Sequence, residues 1–244
     1  MKVAFLGATG GMGRSLARLC AQRGDAIALL GRDPEALARS AADLRVLGAP
    51  RVVGLACDLA NPAGFAPALD AAVTALGGLD TVVLSAADCA RPADLDADPA
   101  RGARLAALNF THSIAFLEAA RARLLARGGG TLCVFSSVAG DRARKATGIY
   151  GATKAGLSHY AESLDLRDRP RGLRVVLVKP GFVRTAMTAD LPAPPFAGEP
   201  DAVARRVLTA IDRGWPVVYA PPIWRLVMLA IRALPRSVMR RTEF

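Results

Sequence analysis

The run VAFLGATGGMGRSLARLC, residues 3–20, decides the fold. Val3–Leu6 is a short apolar stretch of strand character. It passes without a spacer into GATGGMG, Gly7 to Gly13, and then into helical periodicity from Met12 to Gln22. A strand, a glycine-rich turn and a helix in direct succession make an anion cradle. The first N–H groups of the helix have no partner within it and face outward, and glycine lets a pyrophosphate approach the backbone. The spacing is G-x3-G-x-G, which differs from the G-x-G-x-x-G of ordinary dinucleotide folds. Gly7 permits the tight turn, and Gly11 and Gly13 permit the close approach; Thr9, Gly10 and Met12 complete the cradle.

Beyond this unit the same alternation repeats. Strands are expected at Ala26–Leu30, Arg51–Ala56, Thr81–Leu84, Thr131–Phe135, Arg174–Val178 and Val217–Ala220. Helices are expected at Pro34–Leu47, Pro62–Leu76, Pro99–Leu125, Gly151–Arg167 and Asp201–Asp212. Strands that are apolar on both faces and separated by helices belong to a parallel sheet covered on each side. The fold class is therefore α/β, a single doubly wound Rossmann domain over 1–220 with a C-terminal helical extension over 221–244. The proline-rich stretch Thr188–Pro200 reads as a loop long enough to cover a site.

The chain has 244 residues, 52% of them apolar and only 5% aromatic, which excludes wholesale disorder and disfavours an all-β sandwich. A net charge of +11 invites an anionic cofactor, nucleic acid or an acidic membrane. Nucleic acid is set aside, because stacking aromatics are few and no finger, zipper or RNA-recognition pattern occurs. Cys20, Cys57, Cys89 and Cys133 lie far apart, form no CxxC pair, and with His112 and His159 make no metal pattern. They read as reduced thiols. The opening at Met1 leaves no room for a signal peptide, and no stretch approaches the ~18 apolar residues that span a bilayer. A cytoplasmic protein is expected.

About 20 residues past the glycine turn, where an acid ordinarily meets the adenosine ribose, stands Arg32. A guanidinium there suits a 2′-phosphate, so NADP(H) is expected in preference to NAD(H). In the other reading Arg32 is a solvated arginine and Asp33 takes the ribose. Further on, Tyr150-Gly-Ala-Thr-Lys154 puts a phenol and an ammonium on one helical face. The ammonium favours phenolate, which lets the tyrosine exchange a proton with a carbonyl or alcohol oxygen. Ser136 and Ser137 end the strand before it, at the sheet edge where a nicotinamide would lie.

On these residues the chain resembles the short-chain dehydrogenase/reductases along nearly its whole length. Leu6 replaces the threonine usual before the turn. The resemblance implies that Asp58, with Leu59, meets the adenine ring, and that Ser85, Ala86 and Ala87 pack beside the adenosine. It implies a catalytic set of Asn109, Ser137, Tyr150 and Lys154. In that set Asn109 holds a water linking the lysine to solvent, Ser137 orients the reacting oxygen, Tyr150 is the acid/base, and Lys154 binds the nicotinamide ribose. It further implies that Pro180, Gly181, Val183 and Thr185, within KPGFVRT, bind the cofactor, the Val183 backbone and Thr185 contacting its carboxamide. The family's NAG motif is replaced by Ser85-Ala86-Ala87-Asp88, which removes an asparagine that braces the central strands. Homodimers or homotetramers are usual in the family.

Residues 131–241 resemble a narrower subgroup, the bacterial reductases of polyprenylphosphoryl-2-keto-pentoses (decaprenylphosphoryl-2-keto-ribose). That resemblance implies NADPH-dependent reduction of a lipid-linked ketone. The alternatives are reduction of 3-ketoacyl thioesters or other small lipophilic ketones, and a non-catalytic NADP-binding regulator. The insert Asp141–Lys145 carries Arg142, Arg144 and Lys145, which suit a substrate phosphate or simply a solvated loop. The tail 222–241 is apolar with Trp224 and is flanked by arginines. It fits a helix lying on the inner face of an anionic membrane, or a helix packed on the core or on another subunit.

Overall fold

The strand Lys2–Leu6 (β1) sends Val3 and Phe5 into one hydrophobic layer and Ala4 and Leu6 into another. Both faces are apolar because both are covered. The same holds in Ala26–Gly31 (β2), Thr81–Leu84 (β4), Gly130–Phe135 (β5) and Leu173–Pro180 (β6). Val52–Ala56 (β3) and Val217–Ala220 (β7) are partly exposed, as edge strands should be. In this computed structural model, which describes residues 1–242, the seven strands form one parallel sheet in the order β3-β2-β1-β4-β5-β6-β7. The topology reverses between β1 and β4, which opens a crevice at the carboxyl ends of the strands.

Helices Gly11–Gln22 (α1), Pro34–Val46 (α2) and Pro200–Arg213 (α8) cover one face through Leu16, Leu37, Val203 and Val207. Phe65–Leu76 (α3), Ser113–Ala126 (α6) and Gly148–Asp168 (α7) cover the other through Leu69, Phe116 and Leu157. The doubly wound fold expected from the sequence is the fold observed.

Local boundaries differ. The helix expected over Pro99–Leu125 comprises Pro99–Ala106 (α5), a six-residue π-turn at Ala107–His112, and α6. A short helix, Pro92–Ala97 (α4), precedes them. The wider turn is marked by the Ser113 hydroxyl, which donates to the Leu108 carbonyl five residues back. α7 starts at Gly148, three residues before its expected start, so Tyr150 lies in its first turn. The tail forms Trp224–Ala233 (α9) and Arg236–Met239 (α10). Trp224 and Met228 of α9 are buried with Val138, against Phe182 and Tyr219. Glu243 and Phe244, the end of the tail, lie outside the described residues. Among the described residues no helix is long and apolar enough to cross a membrane.

Candidate active site

The turn after β1 needs its glycines for three different reasons. Gly7 has φ +106°, and a Cβ there would run into the Ala86 backbone. Gly13 faces the Gly7 carbonyl and the Ser85 hydroxyl so closely that any side chain would collide. Its smallness therefore serves the packing of α1 on the sheet, while Gly13 itself still lines the cleft described below. Open space is found at Gly10 instead, where a Cβ would meet nothing. Gly10 is also the N-cap of α1 and supplies no capping side chain, which leaves the first amides for an anion.

A cleft of about 510 Å³ extends from this turn. Thr9, Gly11 and Met12 line it at the turn, Arg32 at the end of β2, Asp58 and Leu59 after β3, and Ser85, Ala86 and Ala87 after β4. Arg32 is exposed there. Asp33 caps α2, its Oδ1 accepting from the amides of Glu35 and Ala36, both at 3.0 Å. The Asp58 carboxylate accepts from the Ala60 amide at 2.9 Å, which fixes its loop.

Bracing after β4 comes from residues other than the missing asparagine. The Ser85 hydroxyl donates to the Gly7 carbonyl at 3.0 Å, and the Ala86 amide donates to the Leu6 carbonyl at 3.0 Å. Asn109, fully buried in the π-turn, donates to the Asp88 carbonyl at 2.7 Å and accepts from the Asp88 amide at 2.9 Å. Its side chain thus clamps the loop that closes the cleft.

Ser137, Tyr150 and Lys154 converge at the end of β5. The Ser137 hydroxyl accepts from the Ala139 amide at 3.0 Å. Lys154 is buried, and its Nζ donates to the Phe135 carbonyl at 3.0 Å, 5.7 Å from the centre of the Tyr150 ring. Burial pushes the Tyr150 phenol up to about 12, with Cys89 adding to the rise and the Ser137 hydrogen bond and Arg144 opposing it. Burial pushes the Lys154 ammonium down to about 8, against a smaller opposite pull from Cys89. The phenol is therefore held protonated at neutral pH, the form that can give a proton away. Ser136 ties the two elements together, donating to the Lys154 carbonyl at 2.9 Å. Gly140 admits the close approach of α7, since a Cβ there would press on the Lys154 carbonyl carbon at 2.7 Å. The cleft lining extends to Asp88 and Leu108 on this side and includes none of Asn109, Ser137, Tyr150 and Lys154. Cys89, next to Asp88, is close enough to act on the charges of Tyr150 and Lys154.

The segment after β6 divides. Thr185, with Ala186 and Met187, lines the cleft, whereas Pro180, Gly181 and Val183 stand outside its lining. Gly181 is needed because a side chain there would strike the Trp224 indole. In the insert, Arg142 is turned to the tail and donates to the Leu234 carbonyl at 2.9 Å. Asp141 pairs with Lys179 at 3.0 Å and accepts from the Tyr219 hydroxyl at 2.8 Å. Arg144 stays near Tyr150; its Nε and the Thr147 hydroxyl are buried without a hydrogen-bond partner. Leu108, Ala186 and Met187 also line the cleft, and no sequence signal pointed to them. Among the described residues no group of histidine, cysteine and carboxylate side chains could hold a metal.

A family model described as short chain dehydrogenase matches residues 2–195. An oxidoreductase of Mycobacterium tuberculosis, described as uncharacterized, is 33% identical over 239 residues, covering 98% of this chain and 96% of its own. A Streptomyces coelicolor oxidoreductase, likewise described as uncharacterized, is 35% identical over 237 residues, covering 97% and 93%. Carbonyl reductase family member 4 of Xenopus laevis is 29% identical over 218 residues, covering 86% and 90%. Among solved structures, a short-chain type dehydrogenase/reductase of Mycobacterium marinum superposes with a TM-score of 0.81 at 24% identity, over 89% of this chain and 93% of that one.

Proposed function

The chain belongs to the short-chain dehydrogenase/reductase family, and from that premise we propose that it is an NADPH-dependent reductase of a ketone to a secondary alcohol. The observation that carries this reading is the convergence of Ser137, Tyr150 and Lys154 at the end of β5, beside the glycine-lined cleft. The open space at Gly10 and the uncapped α1 fit a dinucleotide pyrophosphate, and the exposed Arg32 fits a 2′-phosphate. When bound, the cofactor supplies the hydride. Tyr150 gives its proton to the ketone oxygen, Ser137 orients that oxygen, and Lys154 steadies the phenolate left behind. Asn109 positions the loop beside them. The name of the Xenopus relative, a carbonyl reductase, supports the same direction of chemistry.

The favoured substrate is a polyprenyl-phosphate-linked 2-keto-pentose, met in the cytoplasm at the inner face of the membrane by a homo-oligomer. The Arg144 Nε and the Thr147 hydroxyl, buried without a hydrogen-bond partner, support an anionic group on the ketone near Tyr150. Arg142, committed to Leu234, is withdrawn from that role. The test is NADPH oxidation by the purified chain with a panel of ketones. The panel includes the lipid-linked keto-pentose generated by its oxidising partner, and 3-ketoacyl thioesters. Turnover of the lipid-linked ketone is expected to exceed that of the rest. No oxidation with any ketone would overturn the reductase, and preference for the thioester would overturn the substrate. Arg144→Gln is expected to slow a phosphorylated ketone and spare its unphosphorylated counterpart; equal losses on both would dismiss the anion site.

A further inference from the structure

Among the described residues, ten large apolar side chains face solvent, and six of them fall in two segments. Met187, Leu191 and Phe196 lie on the loop after β6; Leu226 and Leu229 lie on α9, and Val238 on α10. The two segments are joined, for the Trp224 indole donates to the Phe196 carbonyl at 3.2 Å. The loop also borders the cleft through Ala186 and Met187. In α9, Trp224, Met228 and Ile231 face the protein, while Leu226, Leu229, Ala230 and Ala233, at helical spacing, face out. Trp224, which the membrane reading would place outward and the packed-helix reading inward, is turned inward.

Exposed arginines accompany this face: Arg225 and Arg232 on α9, Arg236 on α10, then Arg240 and Arg241. No acidic residue occurs from Gly214 to Thr242. Arg225 and Arg232, seven apart, lie along one flank of the apolar stripe. A second copy docked about a two-fold axis would bring these five arginines against arginines, with Asp190 on the loop the one carboxylate of the face. An anionic lipid surface complements the same pattern, accepting the leucines among its acyl chains and the arginines among its headgroups.

We propose that α9, α10 and the loop 187–196 together form a docking face for an anionic membrane, which sets the mouth of the cleft against lipid. The inference deepens the proposed reading of a lipid-linked ketone, and it stands on the surface alone. Co-sedimentation with phosphatidylglycerol vesicles and with phosphatidylcholine vesicles tests it, separately from any ketone assay. The full chain is expected to sediment with the former at low salt and to be released by high salt. Replacing Arg225 and Arg232 by glutamine is expected to weaken binding about fivefold per arginine. The double variant L226S/L229S, altered only at exposed positions, is expected to fold normally and lose most of the binding. No sedimentation with the anionic vesicles, or equal sedimentation of L226S/L229S, would overturn the proposal. Loss of an oligomer in that variant would overturn it in favour of a second copy. Failure of ketone turnover with vesicle binding intact would count against the reductase and leave the docking face standing.

Discussion

Asn109 holds Asp88 from both directions, donating to its carbonyl at 2.7 Å and accepting from its amide at 2.9 Å. A π-turn inside a long helix is thereby fastened to the loop that walls the cleft. Such turns are frequent at functional sites because they point a side chain where a regular helix would not. Asn109→Ala removes a buried amide and leaves two backbone groups unsatisfied, at about 1–3 kcal/mol each. The melting temperature is expected to fall by several degrees, and NADPH affinity to weaken as the loop loosens. Thermal melts with and without NADPH measure both. An unchanged melt would show that the clamp contributes nothing.

Tyr150→Phe keeps the ring and removes the proton. Ketone reduction is expected to slow by roughly 10²–10⁴-fold, with NADPH binding retained, since the cradle at Gly10 and α1 is untouched. Stopped-flow turnover beside a fluorescence titration of NADPH separates the two. Ordinary turnover in this variant would remove the tyrosine from the chemistry.

The pH dependence follows from the two burial effects. Tyr150, pushed up to about 12, remains a proton donor throughout the neutral range. Lys154, pushed down to about 8, loses its charge as pH rises through that value, and with it the stabilisation of the phenolate that proton donation creates. The reduction rate is expected to be flat below about pH 8 and to fall above it. Lys154→Met should remove the fall together with most of the rate. A rate that climbs above pH 8 would contradict this assignment.

Much of this was legible before any coordinates, because it was written in local pattern. Val3–Leu6 followed by glycines announces a parallel strand and a cradle, and Tyr150 and Lys154 announce a shared helical face. What stayed hidden depends on neighbours distant in sequence. Nothing in the composition of ALNFTH marks a π-turn or shows that Asn109 within it reaches Asp88, 21 residues away. That Gly13 is required by the Gly7 carbonyl and Ser85, which would collide with any side chain there, cannot be read from the spacing of the glycines. Arg142 looks like its neighbour Arg144 until Leu234 claims it, 92 residues on. Trp224 fits an outward or an inward face until α9 turns it onto Val138.

The proposed preference for NADPH rests on Arg32. Asp33 Oδ1 is held in the α2 cap, and the exposed Arg32 guanidinium borders the cleft, whose lining includes Arg32 and not Asp33. A charge-assisted bond to a 2′-phosphate contributes about 1.5–3 kcal/mol. Arg32→Ala is therefore expected to weaken NADPH by roughly 10–100-fold and to leave NADH unaffected. Isothermal titration with each nucleotide gives the answer. Equal or tighter NADH binding by the unaltered chain would remove Arg32 from 2′-phosphate recognition.

At the far end of α7 from Tyr150, Asp168 is fully buried and gathers three arginines. It accepts from Arg121 Nε at 2.6 Å and Nη2 at 3.0 Å, from Arg167 at 3.1 Å and from Arg171 at 3.1 Å. The hydrogen bonds from Arg121 and Arg167 hold its carboxyl far below the usual carboxylate range. A depressed value in the folded state means that the stabilisation is present above the unfolded carboxylate value, near 4, and is lost as pH falls below it. Breaking a buried ion pair costs about 3–5 kcal/mol. The lower figure applies, because Arg167 and Arg171 reach solvent freely and Arg121, at 18% exposure, does so in part. Asp168→Asn is thus expected to lower the melting temperature by roughly 10 °C at neutral pH. At acidic pH the gap to the unaltered chain should narrow, because the native carboxylate is then losing its own advantage. Turnover well below the melting transition should be unchanged, since the site lies at the other end of the helix. A variant that melts with the unaltered chain at neutral pH would mean that the three arginines are stabilised by water alone.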